Sequence, residues 1–250
     1  MAVQNLWWLA AVPGAIVIVR MLVGVLHGLR WWSAWTHQKP TGDLIGAQVT
    51  GGDVTHRCGP DDVPFAMGSV TKALTGMLMQ IAIERGEVTP DDALGEHLPL
   101  GDAPAAGVTL RALADHTSGL PRLTGSLGTD TRSTLDLILG RDPYVWDEDR
   151  MLGFARAARL AKAGTHAYSN LGAALAGQAL ARAAGCGYAE LVRDRIFTPL
   201  GMSSSYIAGD RHPAPSGRSI FGRRVAPWNL GPFSPAGGFV TTRGDLERLL

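Results

Sequence analysis

One stretch of this chain dictates a core. From Val70 to Arg85, the residues Leu74, Met77, Leu78, Ile81 and Ala82 recur at the spacing of one helix face, and Gly86 follows as a C′ residue able to close the helix. The run Ala73-Leu74-Thr75-Gly76-Met77-Leu78 carries no charge, so burial of this helix is expected. Ser69 stands directly before it and Lys72 one turn in, an S-x-x-K pattern. Residues three apart lie on one helix face, which sets the lysine amine beside the serine hydroxyl. A serine hydroxyl becomes a useful nucleophile only when a neighbouring base takes its proton, and a lysine can assist once desolvation lowers its pKa. A serine at a helix head also lies near free backbone N–H groups that can hold an acyl oxygen. The same pair equally describes an N-capping serine followed by a solvated lysine, and S-x-x-K recurs by chance in many chains.

A second apolar run lies at the amino terminus. Leu6 to Leu29 is apolar except for Arg20 and His27, and its 24 residues would extend roughly 36 Å as a helix, enough to span a bilayer. Trp7 and Trp8 flank one end and Trp31, Trp32 and Trp35 the other, the placement of interfacial tryptophans. Arg20 opposes insertion at a cost of roughly 2.5–3.5 kcal/mol near the helix centre, which the remaining apolar side chains can offset. Residues 1–34 are therefore read as a membrane anchor or signal-like segment, with a buried core helix as the competing reading. Arg30 and Lys39 follow the run and no basic side chain precedes it, so the positive-inside rule alone would leave the remainder in the cytoplasm.

Residues 35–42 read as a linker through Lys39-Pro40-Thr41-Gly42, and residues 43–250 as one further domain. Leu44–Val49 and Val54–Cys58 around Thr50-Gly51-Gly52-Asp53 predict a β-hairpin. Helices are predicted at Thr109–Ala114, Ser133–Leu139, Met151–Lys162, Asn170–Ala184, Tyr188–Phe197 and Arg243–Leu250, with Thr242 capping the last. Residues 213–238 are rich in Pro and Gly and read mostly as loop. Helices outnumber strands, an α+β composition. The 23 basic and 22 acidic side chains give a net charge of +1, which supplies no reason to propose nucleic acid as a partner. Cys58 and Cys186 have no metal spacing and read as two unpaired thiols, with a disulfide open only if the fold brings them together. HExxH, Walker A, GxGxxG and GxSxG patterns are all absent, which removes zinc proteases, P-loop NTPases and the usual α/β-hydrolases.

Tyr168-Ser169-Asn170 leads into the apolar helix that begins at Asn170. A tyrosinate is a competent general base where cations depress its pKa, and Lys72 would be one such cation. Asn170 could bond a substrate amide and hold Lys72. Tyr168 as ordinary core and Asn170 as an N-cap is the competing reading.

Taken in order, five segments resemble the serine β-lactamase and penicillin-binding-protein superfamily, in its class C and esterase-like branch. Phe65–Lys72 is similar to the nucleophile motif, Leu113–Pro121 to the L-x-x-H-T-S-G-L-P turn, and Ala163–Asn170 to P-G-x-x-x-Y-S-N, with Ala163 where proline is usual. Ile196–Met202 is similar to F-x-P-L-G-M, and Pro235-Ala236-Gly237-Gly238 to P-A-G-G. The resemblance implies a β-lactamase/transpeptidase-like α+β fold, an antiparallel sheet beside a mainly helical subdomain, over residues 43–250. It implies Ser69 as acylated nucleophile, Lys72 as its partner, Tyr168 as base and Asn170 as substrate contact, with His116, Pro199 and Gly201 as scaffold. The implied activity is hydrolysis of a β-lactam, D-alanyl peptide or ester carbonyl through an acyl-enzyme, with no metal or organic cofactor. It also implies an extracytoplasmic catalytic domain tethered to the cell membrane, against the charge bias noted above. The superfamily's third motif, Lys or His, then Thr or Ser, then Gly, follows P-A-G-G on a strand beside the nucleophile, and the sequence reaches Leu250 before one occurs. The sheet is accordingly expected to be incomplete, and a catalytically inactive, membrane-bound binding remnant is the alternative expectation.

Overall fold

The structure is a computed structural model that describes residues 46–50, 53–58, 60–122, 141–142, 146–209, 212–216 and 225–249. The apolar run Leu6–Leu29 and the helix expected at Ser133–Leu139 lie outside the described residues. Among the described residues, no helix is long and apolar enough to cross a membrane.

The expected hairpin forms from β1 (Gly46–Thr50) and β2 (Asp53–Cys58), antiparallel, with an irregularity in register between Gln48 and Val49. A three-stranded antiparallel sheet lies apart from it. Its strands are β3 (Phe65–Ala66), β4 (Tyr206–Ile207) and β5 (Phe239–Thr241), in the order β3-β5-β4. These strands have two or three residues each, too few to display a period of two, so no alternation announced them. All three residues of β5 are buried, and Phe239 stacks on Phe197 with ring centroids 5.5 Å apart.

The S-x-x-K segment enters through a 3₁₀ turn, Gly68–Val70, and continues as α1 (Thr71–Glu84), with Gly86 at φ +68° beyond its end. Short helices α2 (Leu94–His97) and α3 (Leu110–Ala114) follow, and the Thr109 side chain caps α3 by accepting from Ala112 N–H. The Ala-rich helix α4 spans Glu148–Ala157, starting and ending earlier than Met151–Lys162. Asp147 caps it through Arg150 N–H, and acidic Glu148 and Asp149 favour its N-terminus. Beyond Ala158 the chain is drawn off, with Ala161 N–H bonded to the Gly119 carbonyl at 2.9 Å.

The core is organised on α5 (Asn170–Ala183), which packs against α1, α2 and α3. Leu171, Leu175 and Leu180 are each at most 1% exposed, and burying side chains of that size contributes about 1.5–3 kcal/mol each. Helix α6 (Tyr188–Val192) gives way to a π turn at Arg193–Phe197 where one continuous helix was expected. Within the expected loop, a 3₁₀ turn (Gly231–Phe233) and α7 (Ser234–Gly237) lead into β5, and α8 (Arg243–Leu249) follows with Thr242 accepting from Asp245 N–H. Buried Asp245 accepts Ser204 N–H and the Ser205 hydroxyl, at 2.8 and 2.9 Å, tying the approach to β4 onto α8.

Candidate active site

The site begins with backbone conformation. Gly68 has φ +53°, in the left-handed region that only glycine enters without strain, and this turns the chain so that Ser69 emerges exposed at the head of α1. Thr71, fully buried, fixes the turn from below. Its hydroxyl donates to the Gly68 carbonyl at 2.6 Å and accepts the Phe239 N–H at 2.9 Å. Met67 N–H adds a bond to the Phe239 carbonyl at 2.8 Å, so the nucleophile turn is bolted to β5 on both sides.

Lys72 lies one turn along α1, half-buried. Its Nζ is 3.3 Å from Ser69 Oγ and donates to the Ala236 carbonyl of α7 at 2.6 Å. Helix α7 is itself held, because the Thr75 hydroxyl donates to the Pro235 carbonyl at 3.0 Å and pairs with the buried Tyr188 hydroxyl at 2.8 Å. Burial lowers the Lys72 pKa, against a smaller opposing pull from its contact with Tyr168.

Tyr168 arrives from a different part of the chain. The Asp115–Arg122 turn and the 161–170 segment are stitched by main-chain bonds, Gly164 N–H to Thr117 O at 2.8 Å, Ala167 N–H to His116 O at 2.7 Å and Asn170 N–H to Arg122 O at 2.9 Å. His116, at φ +56°, accepts Ser169 N–H at its Nδ1 (3.3 Å), which leaves its proton on Nε2, and its ring lies 4.7 Å from the Tyr168 ring. Desolvation first, then the charge of Lys72, lowers the His116 pKa and favours the neutral ring. Ser169 caps α5, donating to the Pro121 carbonyl at 2.7 Å and accepting Gly172 N–H at 2.9 Å. The result places the Tyr168 hydroxyl 2.8 Å from Ser69 Oγ, donating to it, with Lys72 Nζ 4.9 Å from the ring centroid. Burial would raise the phenol's pKa, but hydrogen bonds to Lys72 and Ser69 and the charges of Lys72 and Arg122 outweigh it, and the net shift is downward.

Ser69, Lys72 and Tyr168 thus converge, joined by hydrogen bonds in which the Asn170 side chain takes no part. Asn170 opens α5 half-buried, and among the described residues its side chain makes no hydrogen bond to Lys72, whose second partner is the Ala236 carbonyl. Ser169, not Asn170, is the helix cap. Three contributors escaped sequence reading. Ala236 acts through its carbonyl, which side-chain patterns cannot signal. Thr71 occupies a free position of S-x-x-K, and Arg122 follows the Leu113–Pro121 turn without belonging to it. Among the described residues, no group of three or more His, Cys, Asp or Glu side chains could hold a metal ion.

The chain has counterparts among known proteins. The sequence model of the Beta-lactamase family matches residues 10–250. The D-alanyl-D-alanine-carboxypeptidase/endopeptidase AmpH of Escherichia coli K12 is 30% identical over 199 residues, covering 75% of this chain and 48% of that protein. Penicillin-binding protein 4* of Bacillus subtilis is 27% identical over 147 residues, 59% of this chain and 31% of its own length. The chain spans about half the length of the first of these relatives and a third of the second. Among solved structures, the D-alanine carboxypeptidase AmpC of Burkholderia cenocepacia superposes with a TM-score of 0.57 at 31% identity, covering 76% of this chain and 49% of that one. The class C β-lactamase of Rhodobacter sphaeroides gives 0.63 at 26% identity, with 80% and 57% covered. With the family model matching nearly its whole length and its described fold superposing on these structures, this chain belongs to the beta-lactamase family.

Proposed function

We propose that the chain is a serine hydrolase that opens an amide, β-lactam or ester carbonyl through an acyl-enzyme on Ser69. One observation carries the reading: Tyr168 Oη and Lys72 Nζ both lie within hydrogen-bond reach of one exposed serine hydroxyl, at 2.8 and 3.3 Å. Ser69 Oγ attacks the carbonyl carbon while its proton passes to Tyr168, ionised in the reactive state, with Lys72 holding the phenolate by charge. The contact in which the neutral phenol donates to Oγ then runs in reverse, with the same two oxygens. The tetrahedral oxyanion collapses as the leaving atom takes the proton back from Tyr168 Oη, and the serine ester remains. Water activated by the same phenolate hydrolyses that ester and restores the hydroxyl. The Ser69 backbone N–H at the helix head supplies an oxyanion donor, and Asn170 bonds the substrate beside it. No step calls for a metal or organic cofactor.

The names of the relatives favour D-alanyl peptides as substrates, followed by β-lactams, with simple esters as accessible reporters. The run Leu6–Leu29 is proposed to anchor the protein to the membrane with the catalytic domain outside. Membrane fractionation, with a reporter active only outside the cytoplasm, tests that placement. Covalent labelling by a fluorescent penicillin and by a fluorophosphonate tests the chemistry. Label on the native protein that disappears in Ser69→Ala is the expected result. Label that persists in Ser69→Ala, or well-folded protein that neither probe marks, would refute it and leave a binding protein in its place.

A further inference from the structure

Arg122 has no part in the proton transfers, yet it is held against them. Its carbonyl accepts the Asn170 N–H at 2.9 Å, and the adjacent Pro121 carbonyl accepts the Ser169 hydroxyl at 2.7 Å, so its backbone is fixed at the base of α5. Its guanidinium carbon lies 5.6 Å from the centroid of the Tyr168 ring, the ring whose hydroxyl meets Ser69 Oγ. Elsewhere on the surface Arg85, Arg111, Arg182, Arg193 and Arg195 each meet a carboxylate. Arg122 is exposed, and among the described residues no carboxylate pairs with it or with Lys72. A cation held over the ring whose hydroxyl meets Ser69, and paired with no described carboxylate, is complementary to an anion brought by the substrate.

We propose that Arg122 is a specificity-determining residue which, together with the Asn170 side chain, receives an anionic group carried on the acyl part of the substrate. The inference rests on the reading of Ser69 as acyl acceptor. The acyl side is favoured by geometry. A leaving atom takes its proton at Tyr168 Oη, at the hydroxyl end of the ring, while Arg122 lies over the ring face and clear of that path. The preferred substrates are therefore acyl donors with a free carboxylate a few bonds from the scissile carbonyl, bound by a bidentate guanidinium contact.

The test holds the leaving group constant. The 4-nitrophenyl esters of 4-carboxyphenylacetic acid and of its uncharged carboxamide are compared by kcat/KM on native protein, Arg122→Met and Arg122→Lys. The native enzyme should prefer the carboxylate by roughly three- to tenfold, the ratio should fall to about one in Arg122→Met, and Arg122→Lys should keep part of it. Removing the charge beside Tyr168 alters both rates together, so the ratio isolates recognition. The preference should also weaken with added salt. In parallel, binding of the two free acids' N-methyl amides, one carboxylated and one carboxamide, is measured calorimetrically on Ser69→Ala, where no acylation is needed. Absence of turnover together with an Arg122-dependent binding preference would sink the hydrolase reading and leave Arg122 as the anion-recognising residue of a binding site. Equal binding of the two ligands, or a carboxylate preference unchanged in Arg122→Met, overturns it.

Discussion

The Lys72 anchor depends on a glycine that no catalytic argument would single out. Gly177 lies in the middle of α5, where alanine would ordinarily raise stability by about 0.8–1 kcal/mol through helix propensity. Here a Cβ would stand 2.3 Å from Pro235 Cβ, 2.5 Å from Pro235 Cγ and 3.0 Å from the Tyr188 ring. Ordinary carbon contacts are about 3.5–4.0 Å, so the overlap exceeds 1 Å against a rigid pyrrolidine ring and a fully packed helix. Side-chain rotation cannot relieve it, and α5 and α7 must separate. Overpacking of that kind costs about 1–3 kcal/mol, and the upper end applies because both partners are stiff. Net of the propensity gain, Gly177→Ala should destabilise the protein by about 2 kcal/mol, a fall in Tm of roughly 4–8 °C for a chain of this size. The functional consequence follows from the next residue, since Pro235 leads directly to the Ala236 carbonyl that holds Lys72 at 2.6 Å. Acylation by a fluorescent penicillin, measured well below the melting transition, should therefore slow more than the melting temperature alone would imply. Gly76 provides the control, lying exposed within α1 with nothing within 4 Å of an added Cβ. Gly76→Ala should raise Tm by a few degrees with labelling unchanged. If Gly177→Ala behaves like Gly76→Ala, the packing of α5 on α7 is not as described.

Three further outcomes are expected. Tyr168→Phe should cut the acylation rate roughly a hundredfold or more while far-ultraviolet circular dichroism stays native. In the same variant the Lys72 amine, followed by NMR, should titrate lower than in the native protein, because Tyr168 raises its pKa against the larger effect of burial; an upward displacement would contradict that assignment. Thr71→Val leaves the buried Phe239 N–H without its acceptor, while the Gly68 carbonyl keeps the Thr71 N–H, so urea unfolding should register a loss of about 1–3 kcal/mol, largely restored by Thr71→Ser. His116→Gly relieves a positive φ yet removes the acceptor of Ser169 N–H and the face packed on Tyr168, so stopped-flow labelling should slow even where Tm barely changes.

Sequence carried the fold wherever one residue's own chemistry decides the local structure. Thr109 and Thr242 cap the helices that follow them, Gly86 and Gly185 adopt positive φ just past α1 and α5, and the two expected hairpin strands pair antiparallel. It failed where tertiary contacts decide. The end of α4 is fixed by Ala161 bonding to Gly119, some forty residues away, and α6 loosens into a π turn before Phe197 settles on Phe239. Strands of two residues such as Phe65–Ala66 exist only because β5 lies beside them. The convergence of Ser69, Lys72 and Tyr168 was legible from motif order, but Arg122 and the Ala236 carbonyl were not, since neither belongs to a pattern of side chains.

That division has a physical origin in how the site is assembled. S-x-x-K sets only the 3.3 Å relation between Lys72 and Ser69, which any helix would give. What makes the lysine chemically unusual is the burial that lowers its pKa, and burial arises from α7 packing over α1 and α5. Tyr168 is brought to 2.8 Å by three main-chain bonds between two loops, so its position tolerates changes in loop side chains but not in loop backbone. Reactivity at Ser69 is therefore expected to be more sensitive to the glycines and threonines of the frame, Gly68, Thr71, Thr75 and Gly177, than to most polar residues around the rim. Arg122 is the rim residue set apart from that group, because its charge bears on substrate choice while its carbonyl belongs to the frame.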